Sequence, residues 1–141
     1  MEALVKESGQ GKFTQDVILG KHTLTADEPV EAGGNDMGPS PYEFLLAALG
    51  TCTSMTLRMY ADLKKIPLEQ VIVKLRHQKI HADDCKDCEN PKALIDHIDR
   101  VIELHGNLTA EQRSKLLEIA NKCPVHKTLT ASVSITTALM K

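Results

Sequence analysis

Aromatic residues are scarce in this chain at 3%, no apolar run approaches the roughly 18 residues of a membrane-spanning helix, and the formal charges nearly cancel, leaving −2. The first shortage removes the stacking platforms on which single-stranded nucleic acids rest, and the balanced charge removes the basic footprint of a duplex-binding surface. No nucleic-acid partner and no membrane are therefore expected, and a small or hydrophobic substrate suits the composition better than a polyanion. The opening Met1-Glu2-Ala3-Leu4-Val5-Lys6 lacks a secretory pattern, so the expected location is cytoplasmic. Cysteine is also sparse, and in a reducing compartment the four present point to catalysis, metal binding or burial instead of a disulfide scaffold. The 42% apolar content of 141 residues is enough for one core and predicts a single domain over 1–141.

Alternation at Phe13, Gln15, Val17 and Leu19, a Gly20-Lys21 turn, and His22-Thr23-Leu24-Thr25-Ala26 predict an N-terminal β-hairpin. From Glu31 to Ser40 the Gly, Asn, Asp and Pro content predicts an exposed loop. Ser40-Pro41-Tyr42-Glu43 then reads as a helix start, with a capping serine, proline in the first turn and a glutamate reaching back. Apolar spacings of three and four from Leu45 through Cys52, Met55 and Met59 to Leu63 predict a helix to about Lys65 that buries this stripe, Cys52 included. Strands are expected from Val71 to Ile80 and from Ile98 to Leu104, a second helix from the Thr109 capping box to about Lys122, and a closing strand over Val133, Ile135 and Leu139. The order predicts an α+β fold. The first helix is long for so small a domain, and packing against a second copy is expected of it.

Cys52 and Cys123 stand in the two most distinctive segments. If folding joins them, a thiolate can attack a peroxide oxygen and the resulting sulfenic acid can condense with the second thiol to a disulfide. They lie 71 positions apart, so sequence alone does not test this. Cys52 reads equally as a small core residue, and Cys123 as a residue preceding Pro124 at a helix-to-strand corner. Cys52 is twelve residues beyond Ser40, where the helix dipole has faded, so a cation would have to lower its pKa, with Arg58, Lys21, His22 and His126 as candidates.

Gly38-Pro39-Ser40-Pro41-Tyr42-Glu43-Phe44-Leu45-Leu46-Ala47-Ala48-Leu49-Gly50-Thr51-Cys52 and Cys123-Pro124-Val125-His126 resemble the OsmC/Ohr family over nearly the whole chain. The resemblance implies long central helices wrapped by antiparallel β-sheet in an intertwined homodimer, with active sites at the subunit boundary. It further implies a thiol-dependent hydroperoxide reductase of peroxiredoxin type, acting in oxidative stress defence. Cys52 is then the attacking thiol and Cys123 the resolving thiol, the partners are a small-molecule hydroperoxide and a dithiol reductant such as a lipoyl group, and no cofactor is needed. Two positions depart from the family pattern. Its catalytic glutamate, ten residues before the first cysteine, is Tyr42 here, and Glu43, nine before, falls on the opposite helix face, where a capping role suits it. Its N-terminal arginine has no counterpart, since the first arginine is Arg58.

A second pair, Cys85-Lys86-Asp87-Cys88, follows His77 and His81. Zinc binding by His81, Cys85 and Cys88 with a ligand from elsewhere, an auxiliary redox pair, and a surface turn with spectator thiols all remain open. His77 and His81 are too far apart on one strand for all four to serve together. His97 and His105 read as solvated. The alternative function is accordingly a non-catalytic ligand- or zinc-binding dimer, and a third reading is an accessory domain to a separate enzyme.

Overall fold

Gly20 takes a positive φ of 62° and Lys21 does not, the combination of a tight hairpin turn, and it joins β2 (Gln15–Leu19) to β3 (His22–Ala26) with Leu19 opposite His22. This computed structural model describes residues 1–81 and 93–140. A further strand, β1 (Leu4–Glu7), pairs antiparallel with β2, so the predicted hairpin is the inner part of a three-stranded sheet ordered β1-β2-β3. β1 is exposed at all four positions and carries no alternation, which is why the sequence does not announce it.

The chain divides into two compact units, Met1–Ala47 and Ala48 onward, and α1 (Pro41–Lys64) begins in the first and continues in the second. Within the first unit the hub is Asp27, 2% exposed. Its carboxylate accepts from the Thr14 hydroxyl at 3.0 Å and from the backbone N–H groups of Glu28 (2.8 Å), Asn35 (3.3 Å) and Met37 (3.2 Å). The expected loop is thereby tied down, and it contains one turn of 3-10 helix at Val30–Ala32. Burial alone would raise the Asp27 carboxyl, but the Glu28, Met37, Thr14 and Asn35 donors outweigh it and hold the group below its ordinary value. A lowered carboxylate pKa stabilises above the unfolded value and is lost as pH falls through the folded one. Acidification below about pH 4 should therefore loosen the 27–37 loop, and Asp27→Asn should remove this acid sensitivity while lowering amide protection at Asn35 and Met37, as hydrogen exchange would read.

At the start of α1 Glu43 accepts the Ser40 N–H at 2.7 Å, as its capping position requires. The helix ends where Lys65 turns left-handed (φ 53°) and the Ile66 N–H returns to the Ala61 carbonyl at 2.8 Å. Its buried face differs from the expected one. Leu49, Thr53, Leu57 and Ala61 face inward, whereas Met55, Met59 and Leu63 are 64–76% exposed and Cys52 is half-buried. Both stripes obey helical spacing, so periodicity could not choose between two apolar faces of one helix.

The second unit packs α1 with α2 (Ala110–Ala120) and a long antiparallel ribbon of β4 (Gln70–His81) and β5 (Leu94–His105), paired from Gln70↔His105 to His81↔Leu94. Leu57, Ala61, Leu68, Leu116, Ile119 and Ala120 form its core, with Val71, Ile102 and Leu104 packed against it. Thr109 caps α2 in the predicted capping box with Gln112. Arg58 braces the junction of α1 and β4 by donating to the Leu68 carbonyl at 2.6 Å and the Glu69 carbonyl at 3.0 Å. Gly106 closes β5 with φ 132°, and a Cβ there would stand 2.2 Å from the Pro67 carbonyl oxygen, so both conformation and space demand glycine.

The α+β class with antiparallel sheets is as expected. The closing strand is not: residues 131–140 form no regular element, and Val133, Ile135 and Leu139 are 59%, 83% and 97% exposed. Alternation makes a segment competent for a strand, but a strand exists only with a ladder partner, and this segment has none within the described residues. Cys123 likewise opens a short helix, α3 (Pro124–Leu129), instead of a strand corner. No helix among the described residues is long and apolar enough to cross a membrane.

Candidate redox site

Three elements of the second unit converge on Cys123. α1 supplies Cys52 and Thr53, β5 supplies Arg100, and the α2–α3 corner supplies Asn121, Cys123 itself and His126. Residue 123 sits at that corner because α2 ends at Ala120 and Pro124 can only begin a helix, which leaves Cys123 extended (φ −63°, ψ 140°) in the N-cap position. Its sulfur caps α3 by accepting the His126 N–H at 3.3 Å.

Cys123 is fully buried and Cys52 half-buried. Cys52 precedes Thr53 on α1. The Thr53 hydroxyl lies 3.8 Å from the Cys123 Sγ, donates to the Leu49 carbonyl at 2.7 Å, and accepts from Arg100 Nη1 at 3.0 Å. Arg100 Nη2 donates to Asn121 Oδ1 at 2.8 Å, which fixes the plane of the guanidinium. Burial pushes the Cys123 thiol up. Against it stand the His126 N–H, the Thr53 hydroxyl, the Cys52 thiol and the Arg100 charge, and together these hold it below the ordinary thiol value. His126 moves for two reasons that agree: burial first, then the Arg100 charge, lower its imidazole and favour the neutral ring.

A cavity of about 260 Å³ adjoins this cluster, lined by Leu49, Ile98 and Leu129 on its apolar side and by Asp96, His97, His126 and Thr130 on its polar side. Asp96 accepts from His77 at 2.8 Å and from Lys79 at 3.4 Å, contacts that hold its carboxyl below the ordinary value. A roomier cavity of about 400 Å³ in the first unit is lined by Asp36, Glu43 and Phe44 and includes no cysteine. The smaller one shares His126 with the Cys123 cluster.

The sequence motifs now have a family. The model for OsmC-like proteins matches residues 33–138, three quarters of the chain, and includes both cysteines. The chain belongs to the OsmC-like family. Solved structures agree at the level of fold. The OsmC-like protein of Mycoplasma pneumoniae superposes with a TM-score of 0.67 at 19% identity, over 91% of this chain and 84% of that one. The organic hydroperoxide resistance protein OsmC of Legionella pneumophila gives 0.65 at 19%, over 92% and 90%. The organic hydroperoxide resistance protein OhrB of Bacillus subtilis gives 0.63 at 16%, over 92% and 91%. No curated protein matches the chain.

In this OsmC-like protein two of the four candidate cations are placed by contacts within the second unit. Arg58 is engaged with two carbonyls, His126 meets the sulfur through its backbone, and Lys21 and His22 belong to the hairpin of the first unit. Among the described residues of the second unit the cation near Cys123 is Arg100, which the sequence aligns with Ile98, Ile102 and Leu104 on one face of the predicted strand and to which no role was given. An arginine on that half-buried face, opposite Leu75, is the signal that marks it. Thr53 was missed as well, because it reads as a filler beside Cys52. Among the described residues no three His, Cys, Asp or Glu side chains gather closely enough to hold a metal. Cys85 and Cys88 lie outside the described residues, and His81 ends β4. His97 and His105 pair with Asp99 at 3.1 Å and Glu103 at 2.6 Å on the exposed ribbon.

Proposed function

We propose that this protein is a thiol-dependent hydroperoxide reductase serving oxidative stress defence, with Cys52 as the attacking thiol and Cys123 as the resolving one. The observation that carries this reading is that folding closes the 71 positions between the two cysteines: Thr53, next to the half-buried Cys52, lies 3.8 Å from the buried Cys123 Sγ. Legionella and Bacillus proteins of the same fold are named for organic hydroperoxide resistance, which supports the substrate class.

Attack by Cys52 on the terminal peroxide oxygen breaks the O–O bond and yields an alcohol and a Cys52 sulfenic acid. Cys123 then attacks that sulfur, expels the hydroxyl as water, and closes a disulfide, which a small or protein-bound dithiol reduces by exchange. Peroxide gains two electrons and each sulfur gives one. The cavity, under the range usual for drug-sized ligands, suits a small hydroperoxide. A cytoplasmic homodimer completes the reading. Support for the dimer is the exposed apolar row Met55, Met59 and Leu63 on α1, together with Val133, Ile135 and Leu139, which a single chain leaves uncovered.

One equivalent of cumene hydroperoxide added to the reduced protein should yield a Cys52–Cys123 disulfide on peptide mapping by mass spectrometry, and a lipoyl dithiol should restore both thiols. Thiols that stay free under this treatment would refute the proposal.

A further inference from the structure

Resolution of a sulfenic acid asks a second thiol to act as a nucleophile, and sulfur does so as the thiolate. Cys123 is fully buried, and a bare thiolate out of water is costly unless hydrogen bonds and a counter-charge surround it. The means must therefore come from its neighbours. Resting on the hydroperoxide-reductase reading, we propose that Arg100, acting through the Thr53 hydroxyl and fixed by Asn121, holds Cys123 as a thiolate and so readies it for disulfide closure. Arg100 is thus a positioning residue for the second chemical step.

The His126 N–H donates to the Cys123 Sγ at 3.3 Å. The Thr53 Oγ1 stands 3.8 Å from the same sulfur and 2.7 Å from the Leu49 carbonyl oxygen, so its one proton has two claimants. Arg100 Nη1 donates to Oγ1 at 3.0 Å, which polarises the O–H and leaves one oxygen between the guanidinium and the sulfur. An anionic sulfur is the claimant this favours. Arg100 Nη2 is engaged with Asn121 Oδ1 at 2.8 Å, so the guanidinium is pinned from α1 and from the α2–α3 corner. The other charged and titratable groups of the second unit are turned elsewhere. Between Glu43 and Arg58, α1 has no charged residue, and Cys52 is its one titratable group. Arg58 is turned to the Leu68 and Glu69 carbonyls. On β5, Asp96 pairs with His77 and Lys79, and His97 with Asp99. Leu75 faces Arg100 from β4, and its neighbours Lys74 and Arg76 are exposed. Glu118 of α2 pairs with Lys115 and with Lys122, Lys127 of α3 is exposed, and burial, then the Arg100 charge, favour the neutral His126 ring. The balance at Cys123 agrees in direction: burial raises its thiol, yet the group stands below its ordinary value.

In the step itself the Cys123 thiolate attacks the sulfur of the Cys52 sulfenic acid. Its electron pair forms the S–S bond, the S–O bond breaks, and the departing hydroxide takes a proton from solvent as water. Cys123 enters this step with no proton to lose. Without Arg100 the sulfenic acid would wait on an uncharged thiol, open meanwhile to a second peroxide and to irreversible oxidation.

The ultraviolet absorbance of the thiolate tests this without peroxide. The full chain with Cys52, Cys85 and Cys88 changed to serine leaves Cys123 alone, and the same chain with Cys123→Ser added is the blank. Cys123 should titrate below an ordinary thiol. Arg100→Gln should raise the midpoint by about one unit, equivalent to about a tenfold change in the thiol–thiolate equilibrium, and Thr53→Val should raise it likewise. Arg100→Lys and Thr53→Ser, which keep the charge and the hydroxyl, should recover most of the shift. Should Arg100→Gln lose its fold by circular dichroism, Asn121→Ala, at an exposed position, should raise the midpoint by freeing the guanidinium, and no shift there would count equally against the proposal. Overturning results are an ordinary midpoint for Cys123, a midpoint unmoved by Arg100→Gln, or a shift that Arg100→Lys does not reduce. With all four cysteines present, Arg100→Gln should slow disulfide closure by up to about tenfold near neutral pH, read as a longer-lived Cys52 sulfenic acid trapped by dimedone, and the loss should fade as pH rises. If the wild type forms no sulfenic acid with peroxide, the hydroperoxide reading fails, and the absorbance titration alone decides whether Arg100 holds the thiolate.

Discussion

Cys52→Ser is expected to lower peroxide turnover by about a thousandfold or more, with the fold intact. Serine is nearly isosteric with cysteine and the position is only half-buried, so little packing is lost. The chemistry, however, has no substitute. A serine hydroxyl stays protonated at neutral pH, and oxygen is a poor nucleophile toward a peroxide compared with polarizable sulfur. Stopped-flow peroxide consumption, with circular dichroism as a control for folding, reads the result. Turnover within tenfold of wild type would remove Cys52 from the reaction and with it the dithiol mechanism.

The second large effect falls on stability. Leu116→Ala should cost about 2–5 kcal/mol, read as a lowered midpoint of urea unfolding. Leu116 is fully buried among Leu57, Ala61, Leu68, Ile119 and Ala120. Its helix is fixed at the N-terminus by the Thr109–Gln112 box, so the surroundings have little freedom to close the cavity. Leu117, one residue on and 60% exposed, is the control: its alanine variant should change stability by less than about 0.5 kcal/mol. Equal losses at the two positions would mean that α2 is turned differently on the ribbon.

That contrast also shows what the sequence made legible. Both helix starts are written in local chemistry, Ser40 with Glu43 and Thr109 with Gln112, and both were readable. The hairpin was readable for the same reason, because Gly20 supplies a conformation that few residues tolerate. Long-range choices were not. α1 offers two apolar stripes, and only the packed partners Leu68, Leu116 and Ile119 decide that Leu57 faces in and Met59 out. Val133 and Ile135 alternate as a strand should, yet alternation is silent about whether an edge is there to receive them. The site divides likewise. Cys52 and Cys123 stand out by residue type and motif, whereas Arg100 and Thr53 acquire meaning only from a 47-residue separation closed by folding.

The double employment of the Cys123 sulfur constrains which residues position 123 tolerates. As the acceptor that caps the start of α3 it does a job that serine, threonine, aspartate or asparagine would do as well, and that alanine would forfeit at about 0.5–2 kcal/mol. As an electron donor it has no stand-in. Under the proposed dithiol chemistry, a chain carrying an oxygen-bearing residue there would keep its architecture and lose its resolving thiol, so in any relative the atom at this corner, more than the overall likeness of the fold, separates a scaffold from a reagent.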